Sequence, residues 1–381
     1  MIIGIDCRML GVGFGLARYT QQLVKHLLEI DLENQYVLFF RNDNIKEFEA
    51  GSNKNVKIVI ADIPWYSWAE QTRFKKIIKK EKLDLMHFPH WNVPINYNDP
   101  FVVTVHDLIM YHYPRPEATT LGPLKFWVKD KLHRIVLNHA VKKAKHILVT
   151  SEFTKQDIHD TLKVSNDKMS TIYQAPFAQK HTTFGLNTKT QKHTTDFGIT
   201  KPYVLYVGAA YPHKNLGGLL KAWEIFEKEY GDKYQLVLVG KEDYFYNKLK
   251  QVSKLASNQV GDKNVIFTDF VEDYKLVELY KNASLYVFPS KYEGFGLPPL
   301  EAQQYGVPVV SSNESCLPEI LGDSALYFDP NNPEQMADMI YKALDDENVR
   351  GELKQNAREN LQRFSWEKLA REALEIYKMV I

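Results

Sequence analysis

Short apolar runs alternate along this chain with stretches whose apolar residues recur every three to four positions. MIIGID at the start, YVLFF (36–40), VKIVI (56–60), LDLMHF (83–88), FVVTVHD (101–107) and HILVTS (146–151) have strand length and are bounded by turn residues. ARYTQQLVKHLLE and LKFWVKDKLHRIVLNHAVKKA carry helical spacing between them. Strands separated by helices predict βαβ units and a parallel sheet. The pattern then restarts with YVLYVG (203–208), QLVLVG (235–240), NVIFTDF (264–270), SLYVFPS (284–290) and VPVVSS (307–312). Between the two series lies QKHTTFGLNTKTQKHTTDFG (179–198), polar, Thr-rich and without periodicity, which reads as a linker. The expectation is an α/β protein of two doubly wound domains, 1–178 and 199–363. Ligands in such sheets bind at the carboxyl ends of the strands, here in a cleft between the two.

A length of 381 residues supports two domains, and 44% hydrophobic with 25% charged residues is the balance of an ordinary globular chain. The net charge of +1 gives no global signal for nucleic acid. Cys7 and Cys316 stand too far apart in sequence to suggest a metal site or a disulfide framework, which fits a reducing compartment. No apolar run reaches membrane-spanning length, and a strand starts at once, leaving no room for a signal peptide, so the expected location is cytoplasmic. One helical region changes the picture: Lys125, Lys129, Lys131, Arg134, Lys142, Lys143 and Lys145 crowd it, with Phe126 and Trp127 among them and Asp130 as the single acid. Residues 125–145 fit a peripheral contact with the anionic inner face of a membrane. A solvated face with Trp127 turned to the core is the preferred alternative.

The segment richest in chemistry is PSKYEGFGLPPLEAQQYGVPVV (289–310). Proline is favoured at the start of a helix and glycine just past its end, so a short helix from the Pro-Pro pair to Gly306 is expected. Glu301 then falls in its first turn and Glu293 in the preceding loop. The free N–H groups of the helix, with those of Gly294, Phe295 and Gly296, form an anion cradle beside two carboxylates. A first-turn acid that merely suits the helix dipole is an equal reading from spacing alone. The opening GVGFGLARYT falls short of a dinucleotide turn, because the sixth position is Leu16 counted from Gly11 and Arg18 counted from Gly13. YVLFF runs into Arg41, where an acid would be wanted. His87, His90 and His112 raise a metal reading, but their spacing matches no metal signature, and no metal is expected. Ser151 sits where a helix N-cap belongs. Asp345 and Asp346 read as a solvated pair.

E-G-F-G-L-P-P-L-E resembles the E-x7-E motif of retaining GT-B glycosyltransferases, family 4 of that classification. YVLYVGAAYPHKNL, FVVTVHDL, VTSEFTKQDI and the ending FSWEKLAREALEIYK resemble further segments of the family, in order along nearly the whole chain. The resemblance implies two Rossmann-like domains facing across a cleft: an N-terminal acceptor domain (1–178), a hinge at 179–198 and a C-terminal nucleotide-sugar domain (199–363). It also implies a last helix (364–381) that crosses back onto the first domain. In this reading Glu301 holds the donor ribose and Glu293 the hydroxyls of the transferred sugar, with Gly294, Phe295, Gly296 and Leu297 around them. Lys214, after the strand ending at Gly208, meets the pyrophosphate and stabilises the leaving group. Members with an arginine here have it where this chain has Ala209 or His213, so Arg18 or His213 is expected to supply the second contact. Gly13 and Gly15 let the backbone approach the phosphate, and Arg18 begins a helix facing it. His106, at a strand end, shapes the reacting centre, while Asp107 supports its loop and Ser151 lies near the cleft.

The implied reaction moves a hexosyl unit, mannosyl by first expectation, from a GDP- or UDP-sugar to a hydroxyl of a glycan or lipid-linked acceptor, in cell-surface polysaccharide or glycoconjugate synthesis. The donor is a co-substrate, and no cofactor is expected. No glycosidase-type carboxylate pair is evident. The family's same-face proposal, in which the departing phosphate takes the acceptor proton, relies on positioning and charge. Two other readings compete: a nucleotide-sugar epimerase of related architecture, and an inactive nucleotide- or glycan-binding scaffold.

Overall fold

A computed structural model describes residues 1–11, 14–48, 53–118, 122–176, 195–256 and 264–381. The chain divides into two units, Met1–Gln174 with Phe364–Ile381, and Ala175–Arg363. In the first, β1 (Ile2–Asp6), β2 (Gln35–Phe40), β3 (Val56–Ile60), β4 (Leu85–Phe88), β5 (Phe101–Val105), β6 (His146–Val149) and β7 (Met169–Thr171) form a parallel sheet. Its order is β3-β2-β1-β4-β5-β6-β7, which reverses direction between β1 and β4. In the second, β8 (Tyr203–Val207), β9 (Gln235–Val239), β10 (Val265–Asp269), β11 (Leu285–Phe288), β12 (Val309–Ser312) and β13 (Ala325–Phe328) lie in the order β10-β9-β8-β11-β12-β13, reversing between β8 and β11. All pairings in this sheet are parallel as well.

The apolar runs explain the layering. FVVTV in β5 and QLVLV in β9 are buried at every position, as strands covered on both faces must be. VKIVI, at the edge as β3, has no fully buried position: Lys57, Ile58 and Ile60 are exposed and Val56 and Val59 partly so, as an edge strand tolerates. Every strand expected from the sequence is present, most of them a residue or two shorter, because His106, Gly208 and Gly240 belong to the loops that follow. Two strands went unforeseen, MST at β7 and ALYF at β13; three or four residues are too few for a period to show. The last helix, Trp366–Val380, is capped by Ser365, whose side chain accepts from Lys368 N, and packs against the first helix, Phe14–Ile30. It buries Leu369, Ala370, Ala373, Leu374 and Tyr377, one face at helical spacing. Of the expected linker 179–198, only residues 195–198 lie within the described part.

Candidate active site

In the second unit the site assembles at the carboxyl ends of β8 and β11, neighbours where the sheet order reverses, which is where open α/β sheets hold ligands. Beyond β8 the backbone is pinned: Gly208 O accepts from Tyr246 Oη at 2.8 Å and Ala209 O from Tyr206 Oη at 2.9 Å. Gly240, after β9, comes so close that a Cβ there would lie 2.1 Å from Gly208 O. A 3-10 turn, Pro212–Lys214, then leads through Asn215, at φ +58, into the helix Leu216–Tyr230. His213 is buried, and its carbonyl accepts from Lys291 N at 2.7 Å, which ties this turn to the loop after β11.

That tie brings two of the expected residues together. Lys214 Nζ donates to Glu293 Oε1 at 2.6 Å, with both side chains largely shielded, and the Phe288 ring centroid lies 5.5 Å from the same nitrogen. Glu293 is held from behind by its own N–H, which donates to Ser315 Oγ at 3.0 Å. A lysine ammonium has three donors, so Lys214 can keep Glu293 and still offer a proton to an anion.

The loop ends at Gly296, whose φ of +90 suits glycine, and a Cβ there would meet Leu317 Cδ2 at 2.9 Å. The helix that follows spans Leu297–Gln304, with Pro298 and Pro299 in its first turn. It starts earlier than the Pro-Pro rule implies, because Gly296 already supplies the cap. Glu301 is therefore one turn inside the helix and not in its first turn. Its carboxylate is buried and accepts from Tyr280 Oη at 3.2 Å. Gly208, His213, Lys214, Gly294, Phe295, Leu297 and Glu301 thus gather at one end of one sheet. Tyr280, Ser315 and Gly240 belong to the same construction and had no local signal in the sequence.

In the first unit His106 follows β5. Its Nε2 donates to Pro89 O at 2.9 Å, its ring meets Tyr19 edge-on at 4.6 Å, and its carbonyl accepts from Thr150 Oγ1 at 2.8 Å. Burial pulls its pKa down from 6.5 to about 4, so the ring is neutral near pH 7 with the proton on Nε2 and the lone pair on Nδ1. Asp107 accepts from Ile109 N and shapes the loop. Ser151 caps the helix Glu152–Leu162 by accepting from Thr154 N.

The glycine-rich opening corrects several expectations. The helix starts at Phe14, so Gly15 is helical and exposed, and Arg18 stands at its fifth position instead of beginning it. Gly13 lies outside the described residues. Trp127 is 51% exposed on the helix Pro123–Lys143, and Phe126 is the aromatic that turns inward. Asp346 does local work as the cap of the helix Glu347–Leu361.

The three histidines of the metal reading have separate partners: His87 bonds Tyr377 Oη and Thr104 Oγ1, His90 bonds Asn92, and His112 bonds Asp157. Among the described residues no three His, Cys, Asp or Glu side chains converge as metal ligands, and no helix is long and apolar enough to cross a membrane.

Comparison with known proteins accounts for both units. Residues 14–175 match the model "Glycosyltransferase Family 4" and residues 187–360 match "Glycosyl transferases group 1". The chain belongs to the family 4 glycosyltransferases and is a transferase enzyme. It is 26% identical to O-antigen chain mannosyltransferase B of Escherichia coli over 96% of each chain. It is 29% identical to O-antigen chain mannosyltransferase RfbU of Salmonella typhimurium, over 76% of this chain and 73% of the relative. Among solved structures, Anabaena HepE in complex with UDP-glucose superposes over the full length of both chains with a TM-score of 0.72 at 15% identity, a likeness of fold. The chain thus has the GT-B type of fold.

Proposed function

We propose that the enzyme transfers a mannosyl unit, with retention and without a metal, from a nucleoside diphosphate sugar to a hydroxyl of a growing glycan or lipid-linked glycan. The mannosyltransferase relatives support the sugar, and GDP is the first expectation for its carrier, with UDP next. The observation that carries the reading is the shielded Lys214–Glu293 pair beside Glu301, at the β8–β11 reversal. Bond changes balance simply: the bond from the sugar carbon to the diphosphate breaks, the bond to the acceptor oxygen forms, and the hydroxyl proton leaves on the departing phosphate. Lys214 compensates the charge that develops on that phosphate, and Glu293 and Glu301 accept hydroxyl protons of the donor as hydrogen bonds. His106, in the first unit, is neutral, and its ring is fixed by the hydrogen bond to Pro89. The exposed Trp127, Val128, Leu132 and Ile135, among exposed lysines on the helix Pro123–Lys143, support a peripheral seat on an anionic lipid surface.

Thermal-shift screening against UDP, GDP, ADP and dTDP, each with its sugars, identifies the carrier, since stabilisation follows mass action. Glu301→Ala is expected to abolish donor turnover while the protein still melts cooperatively, and NMR of the wild-type product reads the anomeric configuration. Wild-type turnover in that variant removes the site assignment.

A further inference from the structure

A second constellation, in the first unit, lies at that sheet's own reversal between β1 and β4, and the donor chemistry leaves it unused. Arg8, two residues past β1, is fully buried. Its Nη2 bonds Asp6 Oδ2 at 2.7 Å and Glu70 Oε1 at 2.8 Å, and its guanidinium lies 3.6 Å from the Phe74 ring centroid. Glu70 opens a π-helical turn, Glu70–Phe74, a rare local form that is frequent at functional sites. Its two oxygens serve two different segments. Oε2 accepts from the backbone of Tyr66 at 2.9 Å, holding that residue at φ +54, a conformation that persists only when the surroundings impose it. Oε1 accepts also from Asn92 Nδ2 at 2.7 Å.

The consequence passes along the hydrogen bonds. With its amide nitrogen committed to Glu70, Asn92 turns its oxygen to His90, 3.0 Å from Nδ1. That oxygen can only accept, so Nδ1 carries the proton and Nε2 carries the lone pair. His90 is partly exposed, its pKa is pulled down to about 3 by burial, and Nε2 has no hydrogen-bond partner among the described residues. Around it stand Tyr66, half-exposed at 6.2 Å, Trp91 at 4.7 Å and His133, whose ring lies 5.2 Å from that of Tyr66. His133 Nε2 is itself buried with no hydrogen-bond partner among the described residues. Pro89, which accepts from His106 Nε2, immediately precedes His90. A neutral acceptor beside aromatic rings and an unmatched imidazole nitrogen is suited to a pyranose, which offers hydroxyl protons at its edge and C–H groups on its face.

We propose that this is the acceptor-sugar subsite: His90 Nε2 accepts a hydrogen bond from a hydroxyl of the incoming glycan, the Tyr66–Trp91–His133 wall packs against its ring, and Arg8, Glu70 and Asn92 are positioning residues that fix the His90 tautomer. The inference rests on the transferase reading of the preceding section and adds the class of ligand and the group that meets it.

The full-length protein, labelled with 15N at histidine, tests it in two ways. Long-range proton–nitrogen spectra should show His90, assigned by the loss of its signals in His90→Gln, with an unprotonated Nε2, and Asn92→Leu should mix the two tautomers. Saturation-transfer NMR with the methyl pyranosides of mannose, glucose, galactose and N-acetylglucosamine should show at least one bound. His90→Ala should weaken that binding about tenfold or more, the worth of one buried hydrogen bond. His90→Gln, which keeps an accepting oxygen, should restore part of it. Nucleotide-induced thermal stabilisation and slow donor hydrolysis to water report the transferase reading separately, so its failure is distinguishable. A protonated Nε2, equal pyranoside binding in His90→Ala and wild type, or binding of none of the four glycosides by the wild type overturns the proposal.

Discussion

Seventy-nine positions separate Lys214 from Glu293, yet their charged atoms touch. At the scale of single residues the sequence is informative about such groups only when a motif announces them. Glu293 and Glu301 share one short segment, and His106 ends a clear strand, so all three stand out before any folding is considered. Glu70 does not: it meets Arg8 across sixty-two positions, and nothing around EQTRF marks it as a hub. The buried histidines yield a prediction. His87, His90 and His106 have folded pKa values near 3, 3 and 4 against an ordinary 6.5, chiefly through burial. As pH falls, the unfolded chain therefore binds protons before the folded one does. Their contribution to stability is complete above 6.5 and is lost between there and the folded values, at up to about 1.4 kcal/mol per pH unit for each histidine. Urea unfolding midpoints should drop steadily from pH 6.5 to 4.5, and a flat profile would contradict the buried neutral state of these rings.

At the scale of elements, most strands and the long helices were legible because a parallel sheet buries whole apolar runs and a helix repeats its period. The strands β7 and β13 were not, being too short to carry a period. The start of the helix Leu297–Gln304 is not legible because the cap is a glycine at positive φ, a matter of backbone conformation that Pro-Pro obscures. The helix Pro123–Lys143 teaches the same lesson in reverse. Its charge was plain in the sequence, but only the fold shows Phe126 turned inward and Trp127 outward. Co-sedimentation with vesicles containing phosphatidylglycerol should retain the wild-type protein and lose it at high salt. Trp127→Ser combined with Lys129→Glu should release it at every salt concentration. Equal retention of wild type and variant would assign that face to solvent.

At the scale of the molecule, the last helix belongs to the first unit although it is encoded after the second. It does so through an apolar face against the helix Phe14–Ile30 and through Tyr377, whose hydroxyl lies 2.5 Å from His87 Nδ1. His87 in turn bonds Thr104, which bonds Tyr19, the ring that sits edge-on to His106. Removing residues 364–381 should therefore strip the first unit of part of its core and leave His87 without one of its two partners. Calorimetry should show an early, broadened transition in the truncated chain. A nucleotide that binds the second unit should still raise the later transition. An unchanged first transition would show that the helix adds nothing to that core.

The sequence by itself determined the class of fold, the order of its elements and the residues near Glu293 and Glu301, because periodicity, helix punctuation and a compact motif are local and survive without coordinates. Tertiary structure alone decided which distant residues meet. It set Lys214 on Glu293, Tyr280 on Glu301 and Arg8 on Glu70, and through Glu70 and Asn92 it chose which nitrogen of His90 holds a proton. A tautomer depends on the partner that each polar atom finds after the chain has closed, and no spacing along the chain records it.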